Sequence, residues 1–306
     1  MQTTKTLTIA AVLVCVASLA DAQRGQRGPL TPEQEKTRAA REAASGPHAV
    51  RPIDMLDSVW IEELSWMEVR DLIKAGKTTV LIGSGGCEQN GPYEPTGKHN
   101  YTLRTTLEAT ARALGNALVA PIVTLEPGNP DRENLTPGSV FITQDTYRAV
   151  LRDMTTSLKS MGFKNIVMVA DSGGNPPGMT DVTKELNAKW KGAPARVFYI
   201  PEYYDEDRWS FNYLKQIGIL QQPDVQSATR YDIHDDYHYE SLVAVVNPKL
   251  VRPEQRMKAK RFSINGVEIG SIDKLVANGK KLAEYRAGIT VRAIKKAMDS
   301  FTPTAQ

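Results

Sequence analysis

The chain has 306 residues, of which 41% are hydrophobic and 24% are charged, a composition typical of a globular protein. The formal net charge is only +3 and the sequence has no long block of lysine and arginine, so nucleic acid is not an expected partner. The length permits one large domain or two small ones.

The first residues have the pattern of a cleavable export signal. Lys5 gives a positive start, residues 7–20 are apolar, and Ala-Asp-Ala at 20–22 supplies a small-x-small cleavage site. The apolar run is shorter than the roughly 20 residues that a membrane span needs. We therefore predict a signal peptide over residues 1–22, cleaved after Ala22, and a secreted or periplasmic protein that has no membrane association after cleavage.

Cysteine usage bounds how this protein is stabilised. Cleavage would remove Cys15 and leave Cys87 alone, so no internal disulfide is expected and the core must supply the stability. Cys87 lies beside the candidate site described below. Because no residue is identified as its base, we interpret it as a small apolar filler rather than a nucleophile.

The rest of the chain divides into a polar segment and a folded domain. Residues 23–55 have almost no large apolar side chains and predict a flexible linker or a loose helix that buries no core. Residues 56–306 are predicted to form a single domain in which strands and helices alternate. The predicted elements, in chain order, are a helix at 67–75, a strand at 79–84, a helix at 101–114, a strand at 117–123, a helix at 143–161, a strand at 165–170, a helix ending near 190, a strand at 196–203, and helices at 235–246 and 282–298.

These elements predict an α/β fold. Near-continuous Val/Ile runs separated by helices indicate a mostly parallel sheet flanked by helices on both faces. Such sheets bind ligands at the carboxyl ends of their strands, where the Gly-rich loops at 87–97 and 171–178 fall. The polar segment at 205–230, with interleaved aromatic residues, is either a cover over this site or a surface loop, and both interpretations stay open.

Several short motifs recur together in the order and spacing of one family. The motifs are Glu-Gln-x-Gly-Pro-x-x-Pro at 88–95, Thr-Pro-Gly-Ser at 136–139, Gly-Gly-Asn at 173–175, Asn-Pro-Lys-Leu-Val at 247–251 and Gly-Ser-Ile-Asp at 270–273. Through them the chain resembles, over residues 60–300, the creatininase-type amidohydrolases. The resemblance implies a three-layer sandwich, hydrolysis of small amides such as cyclic amides or formamides, two divalent metal ions, and assembly into homo-oligomers.

The chain departs from the metal-binding pattern of that family. The family loop reads Glu-Gln-His-Gly-Pro-His-x-Pro and is followed by an aspartate that bridges the ions. Here Glu88 is kept, Asn90 and Tyr93 stand at the histidine positions, and His99 stands at the bridging position. The family's Gly-His-Gly-Gly-Asn has Ser172 in place of its histidine. Because an imidazole nitrogen cannot bridge two mutually repelling dications, we do not expect the two-ion centre.

A single divalent ion remains the predicted cofactor. Glu88, His99 and Asp171 are predicted to hold one Zn, Mn or Fe ion, a His/carboxylate set that suits these metals. His234 would transfer a proton to the leaving group, as the resemblance implies, with His238 or Glu240 assisting. The residues predicted to bind substrate or the oxyanion are Asn90, Tyr93, Ser172, Gly173, Gly174, Asn175 and Tyr237.

The leading functional prediction is therefore an exported hydrolase that cleaves an amide or related carbonyl bond of a small molecule. One alternative is a non-catalytic binding protein, because Tyr93, Tyr237 and Tyr239 suit an aromatic pocket. Another is a metal-independent lyase or isomerase that uses His99 and His234 as acid and base. Each site residue, taken singly, also has a structural interpretation, such as a cap or a turn.

Overall fold

The computed structural model describes residues 29–133, 135–204, 208–220, 236–261, 263–264 and 267–301. The predicted signal peptide, His234 and much of the polar segment at 205–230 lie outside the described residues. Contacts divide the chain into two compact units, Met1–Asp54 and Met55–Gln306. In the described part of the chain, no helix is both long enough and apolar enough to cross a membrane.

The described part of the first unit contains one regular helix, α1 (Pro32–Ser45). It begins at a capping box, in which the Thr31 side chain accepts from the Gln34 amide and the Gln34 side chain accepts from the Thr31 amide. No residue of α1 is buried. Two interpretations were left open for residues 23–55, a flexible linker and a loose helix. The structure has a helix at Pro32–Ser45, and this helix buries no core.

The second unit carries the α/β fold. Short 3-10 helices at Ile61–Glu63, Pro201–Tyr203 and Pro248–Val251 connect some of its elements. Its strands are β1 (Thr79–Ser84), β2 (Ala117–Val119), β3 (Glu126–Pro127), β4 (Phe141–Ile142), β5 (Asn165–Ala170), β6 (Arg196–Tyr199), β7 (Ser263–Ile264) and β8 (Val267–Glu268). Its helices are α2 (Trp66–Lys74), α3 (Lys98–Leu114), α4 (Gln144–Met161), α5 (Asn175–Lys189), α6 (Arg208–Gln216), α7 (Tyr237–Val246), α8 (Pro253–Ala259) and α9 (Ile272–Ser300).

The main sheet has the strand order β2-β1-β5-β6, and every pair in it is parallel. Thr79 at the start of β1 is in register with Ala117 on one side and Asn165 on the other. All residues of β1 are buried, which requires cover on both faces of the sheet. The α/β fold with a parallel, helix-flanked sheet is confirmed.

The side chains of β1 alternate between the two halves of the core. Val80 and Ile82 pack in a cluster with α4 and α5, to which Leu151 belongs. Leu81 packs on the opposite face in a cluster with α3 and α9, to which Leu107 belongs. A strand with a period of two residues thus supplies both layers, and the site forms where such strands end.

Some element boundaries differ from the predicted ones. The predicted strand at 117–123 ends at Val119, because Pro121 has no amide to donate to the ladder, and only a single bridge pairs Val123 with Ser84. Proline likewise ends β6 early, since Pro201 opens a 3-10 turn. The last helix begins at Ile272, behind the Ser271 cap, rather than at 282. The two-residue strands β3 and β4 were not predicted.

Helices α7 and α9 approach closely at one glycine. A Cβ atom built on Gly279 would lie 2.1 Å from the Ser241 carbonyl oxygen, a backbone atom that cannot rotate away. Gly288, further along α9, offers a matched comparison, because its nearest neighbour would be the flexible Arg292 guanidinium at 3.5 Å. The contact between the two helices therefore depends on glycine at one position and not at the other.

We expect Gly279→Ala to lower the free energy of unfolding by about 1–3 kcal/mol, because overpacking forces the two helices apart. Gly288→Ala should leave it unchanged or raise it by up to about 1 kcal/mol, since alanine is the better helix former. Urea unfolding followed by circular dichroism measures both. Equal losses in the two variants would contradict the close approach at Gly279.

Candidate active site

Loops at the carboxyl ends of β1 and β5 meet at one edge of the sheet, as parallel strands require. Asn175, the first residue of α5, ties them together, because its Nδ2 donates to the Ser84 carbonyl at 2.7 Å and to the Gly85 carbonyl at 2.9 Å. Asn175 is fully buried. It was predicted to bind substrate, which stays a prediction, and its side chain fixes the loop backbone.

His99 is the centre of the site. It lies in the first turn of α3, and its two ring nitrogens contact two different carboxylates. Nδ1 is 2.8 Å from Asp171 Oδ1 at the end of β5, and Nε2 is 2.7 Å from Glu88 Oε1 in the loop after β1. Burial alone would lower the pKa of His99, but the hydrogen bonds to Asp171 and Glu88 outweigh it, so the pKa is raised. The contacts with two acids therefore favour the protonated form of the ring.

Asp171 is anchored from a second direction. The Tyr203 hydroxyl donates to its Oδ2 at 2.8 Å, and burial raises the pKa of Tyr203 well above the usual value, so this hydroxyl stays a donor. An Arg286 guanidinium nitrogen of α9 lies 3.1 Å from the same oxygen. Arg286 also donates to the Tyr203 carbonyl from Nε and a terminal nitrogen, at 3.1 and 3.0 Å. The buried carboxylate thus has fixed partners on both oxygens.

Glu126, in the short strand β3, is a site residue that the sequence analysis missed. It is buried, and the Ser172 hydroxyl donates to its Oε2. Burial, followed by the nearby charge of Glu88 and a hydrogen bond with it, raises the pKa of Glu126 to about 7. The Glu-Pro-Gly at 126–128, after a buried strand, was the available signal in the sequence. The chain of polar contacts therefore runs from Ser172 through Glu126 and Glu88 to His99.

Aromatic and basic groups cover one side of His99. Tyr239 meets the His99 ring edge-on, with the ring centroids 5.6 Å apart. The ammonium of the buried Lys98 lies 4.5 Å above the Tyr239 ring. The His238 ring is 4.1 Å from the Tyr239 ring, and burial together with the charges of Arg286, Lys98 and His99 lowers the pKa of His238 well below its usual value. His238 is thus a neutral side chain that packs beside Tyr239.

Other predicted site residues hold the surrounding structure. Asn90 Nδ2 donates to the carbonyls of Glu88 at 3.2 Å and Pro95 at 2.8 Å, which braces the loop after β1. The Tyr237 hydroxyl accepts a hydrogen bond from Asn278 Nδ2 at 2.8 Å. These contacts give Asn90 and Tyr237 structural roles.

Glu240 and Tyr93 share one partner, Arg256 of α8. Glu240 Oε2 lies 2.5 Å from an Arg256 guanidinium nitrogen, and both side chains are fully buried. The same guanidinium lies 4.2 Å above the Tyr93 ring. The two buried charges stabilise each other, because removing either one would leave the other buried without a partner of opposite charge. Glu240, predicted to assist catalysis, therefore joins α7 to α8.

The glycines of the second loop differ in their surroundings. Gly173 is exposed, and a Cβ atom there would meet only the Tyr204 hydroxyl, at 3.6 Å. A Cβ atom on Gly174 would lie 2.6 Å from the Pro127 carbonyl oxygen, so this position admits only glycine. Both precede the amide of Asn175, which donates to the Ser172 carbonyl at 3.2 Å.

The side chains around His99 do not meet the needs of a metal ion. A divalent ion needs ligand atoms that converge on one point with lone pairs available. Both nitrogens of His99 are instead held by carboxylates, and Arg286 faces Asp171. Among the residues that the structure describes, no group of three or more His, Cys, Asp or Glu side chains is arranged to hold a metal ion. Glu88, His99 and Asp171 are brought together, but as a hydrogen-bonded chain that does not fit an ion.

The fold and the position of the site define an α/β protein with its polar centre at the carboxyl edge of a parallel sheet. A family model described as "Creatininase: Creatinine amidohydrolase" matches residues 62–289. The chain belongs to the creatininase family. A comparison with curated proteins gave no match.

Solved structures share this fold at low sequence identity. A crystal structure of creatinine amidohydrolase (creatininase) is similar with a TM-score of 0.52 and 18% identity, covering 81% of this chain and 100% of that one. A structure titled "Creatininase Mn" has a TM-score of 0.51 and 17% identity over the same shares. A mutant creatininase complexed with creatine has a TM-score of 0.50 and 19% identity, again covering 81% and 100%. At such identity the likeness shows the fold.

The raised pKa of Glu126 predicts a pH-dependent stability. In the folded protein this carboxyl loses its proton near pH 7, whereas in the unfolded chain it does so at a lower pH. Between these values the unfolded chain binds fewer protons, so the free energy of unfolding falls as the pH rises.

We therefore expect Glu126→Gln to gain stability over the wild type by roughly 2–3 kcal/mol between about pH 5 and about pH 8. Glutamine keeps an oxygen that accepts from Ser172 but carries no charge. Urea unfolding at both pH values provides the comparison, with the exposed Glu202→Gln as a control that should follow the wild type. A constant difference between E126Q and the wild type would contradict the raised pKa.

Proposed function

We propose that the protein is a hydrolase that cleaves an amide or related carbonyl bond of a small molecule through acid and base side chains rather than through metal ions. The observation that carries the proposal is His99, held between Glu88 at 2.7 Å and Asp171 at 2.8 Å. Membership of the creatininase family supports the hydrolase class, and the creatine complex of a family structure supports a small-molecule substrate.

The two carboxylates that hold His99 differ in their access to solvent. The Glu88 side chain is 19% exposed, whereas that of Asp171 is fully buried and paired with Arg286. A substrate therefore approaches from the Glu88 side. Asp171 fixes the orientation of the imidazole ring and stabilises its charge, as a buried carboxylate does beside a catalytic histidine.

The hydrogen-bonded residues Asp171, His99 and Glu88 supply the proton that amide cleavage requires. The amine leaves readily only when its nitrogen gains a proton as the C–N bond breaks. The protonated His99 provides that proton through Glu88, and the buried cations Lys98 and Arg286 offset the charge of the acids around it. The role predicted for His234 stays a prediction, because this residue lies outside the described part of the chain.

The alternatives draw less support from the contacts. An aromatic binding pocket was predicted on three tyrosines, of which Tyr93 packs against Arg256 and Tyr237 is bonded to Asn278. Only Tyr239 lies against His99. The same proton chain would serve a lyase or isomerase, so an assay must distinguish hydrolysis from these reactions by detecting both the amine and the acid.

We expect His99→Gln to lower kcat for hydrolysis of a cyclic amide, formamide or small linear amide by about 10²–10⁴-fold, because the proton donor is lost. The exposed His48→Gln is the matched control and should keep the wild-type rate. Treatment with a chelator should leave the wild-type activity unchanged.

Two results would contradict this mechanism. Loss of activity on chelation, followed by recovery with Mn²⁺ or Zn²⁺, would show that a metal ion performs the chemistry. Unchanged kcat in H99Q would show that the reaction takes place elsewhere. Ligand binding without release of amine, across the amides tested, would favour the non-catalytic alternative.

We also propose that the protein is exported, on the strength of the apolar run at 7–20 and the small-x-small site at 20–22. Expression of the full chain in a bacterial host should yield a mature protein outside the cytoplasm whose amino-terminal residue is Gln23. Replacing Ala20 and Ala22 with bulky residues should block processing. An intact amino terminus on the wild-type protein would contradict the prediction.

A further inference from the structure

Ser172 lies in a turn between a central strand and a helix. Strand β5 ends at Ala170 and helix α5 begins at Asn175, with Ser172 and two glycines between them. A serine on such a strand-turn-helix junction presents its hydroxyl at the edge of the sheet, a placement that suits a nucleophile. Ser172 itself is 3% exposed, and the adjacent Gly173 is exposed, so access is from the Gly173 side.

The Ser172 hydroxyl is hydrogen-bonded to a base. It donates to Oε2 of Glu126, which is buried. Glu126 reaches this position because the facing residue is Gly86, where a Cβ atom would lie 2.8 Å from the carboxyl carbon of Glu126. Glu88, which is hydrogen-bonded to His99, lies close enough to Glu126 to raise the pKa of that carboxyl group. A nucleophile, its base and a third group that orients the base are the arrangement of covalent catalysis.

We infer that Ser172 is the nucleophile of the hydrolysis and Glu126 its general base, so that the reaction passes through an acyl-serine intermediate. The inference rests on the proposed function and names the route by which the same site acts. Ser172, which was predicted to bind substrate or the oxyanion, becomes the nucleophile in place of a metal-bound water. Glu126 becomes the base that activates it.

The steps balance in protons and bonds. Glu126 takes the Ser172 proton as the Oγ–C bond forms at the substrate carbonyl. The C–N bond then breaks as the amine gains a proton through Glu88, and Glu126 passes the Ser172 proton to Glu88 in exchange, so that Glu126 is again a carboxylate. Water enters, gives a proton to Glu126, and attacks the acyl carbon; the acid is released as the Oγ–C bond breaks and Ser172 regains its proton. No oxidant, reductant or metal ion is consumed.

The turn also offers a place for the negative charge that develops on the carbonyl oxygen. The amides of Gly173 and Gly174 follow Ser172 directly and precede the first turn of α5. Backbone amides next to the nucleophile stabilise an oxyanion in acyl transfer. The glycine at 174 is also fixed by the 2.6 Å approach to the Pro127 carbonyl, so this turn has a constant shape.

The experiment uses a probe that does not depend on knowing the substrate. The full-length mature protein is incubated with diisopropyl fluorophosphate, in which the serine oxygen displaces fluoride at phosphorus, and the modified peptide is identified by mass spectrometry. We expect modification at Ser172, slowed at least 100-fold in Glu126→Gln. The exposed Ser157→Ala on α4 is the matched control and should be modified like the wild type.

Amide hydrolysis by the same proteins separates the two proposals. We expect Ser172→Ala to lose at least 100-fold in kcat, with Ser172→Cys retaining a measurable rate and circular dichroism confirming that both fold. Modification at Ser172 without hydrolysis of any tested amide would overturn the proposed function and leave the nucleophile in place. Hydrolysis at the wild-type rate in S172A, with no modification of Ser172, would overturn the nucleophile and leave the proposed function in place.

Discussion

The site depends on one buried ion pair, between Asp171 and Arg286. A carboxylate with no exposure would be strongly destabilising without a charged partner, and Arg286 supplies that charge from a helix far away in sequence. Tyr203 and His99 complete the shell, so β5, α3, α9 and the 3-10 turn after β6 all converge on one carboxyl group. The orientation of His99 follows from this shell, and the position of Glu88 follows from His99.

The chain shows how a family site can retain its place while its charges are supplied differently. Carboxylates remain at the edge of the sheet, but the positive charge beside them comes from Arg286 and Lys98, and the raised pKa of His99 favours its charged form. Charged side chains differ from a bound ion in two ways. The cost of their desolvation is compensated once, when the protein folds, and their presence does not depend on the supply of metal. The substitutions at Asn90, Tyr93 and His99 are therefore consistent with a site whose positive charge comes from side chains.

Local pattern predicted the elements of this fold well, because apolar periodicity marks strands and helices directly. The grouping of His99 with Asp171 also followed from the rule that parallel strands end at one edge. Arg286 and Tyr203 could not be found in this way, since their role arises only when α9 packs against the sheet. The pairing of Glu240 with Arg256 could not be predicted for the same reason, because Arg256 lies on another helix. Contacts between distant segments carry the information that a single sequence hides.

The asymmetry of the polar chain determines where chemistry can occur. At one end, Asp171 is enclosed by Arg286 and Tyr203, and no substrate atom can approach it without breaking the ion pair. At the other end, Glu88 is partly exposed and Ser172 lies beside the exposed Gly173. The closed end can only set charge and orientation, whereas the open end can exchange protons and form bonds. In the proposed mechanism the reacting carbonyl therefore lies at the Ser172 end, and His99 acts on it only through the carboxyl groups between them.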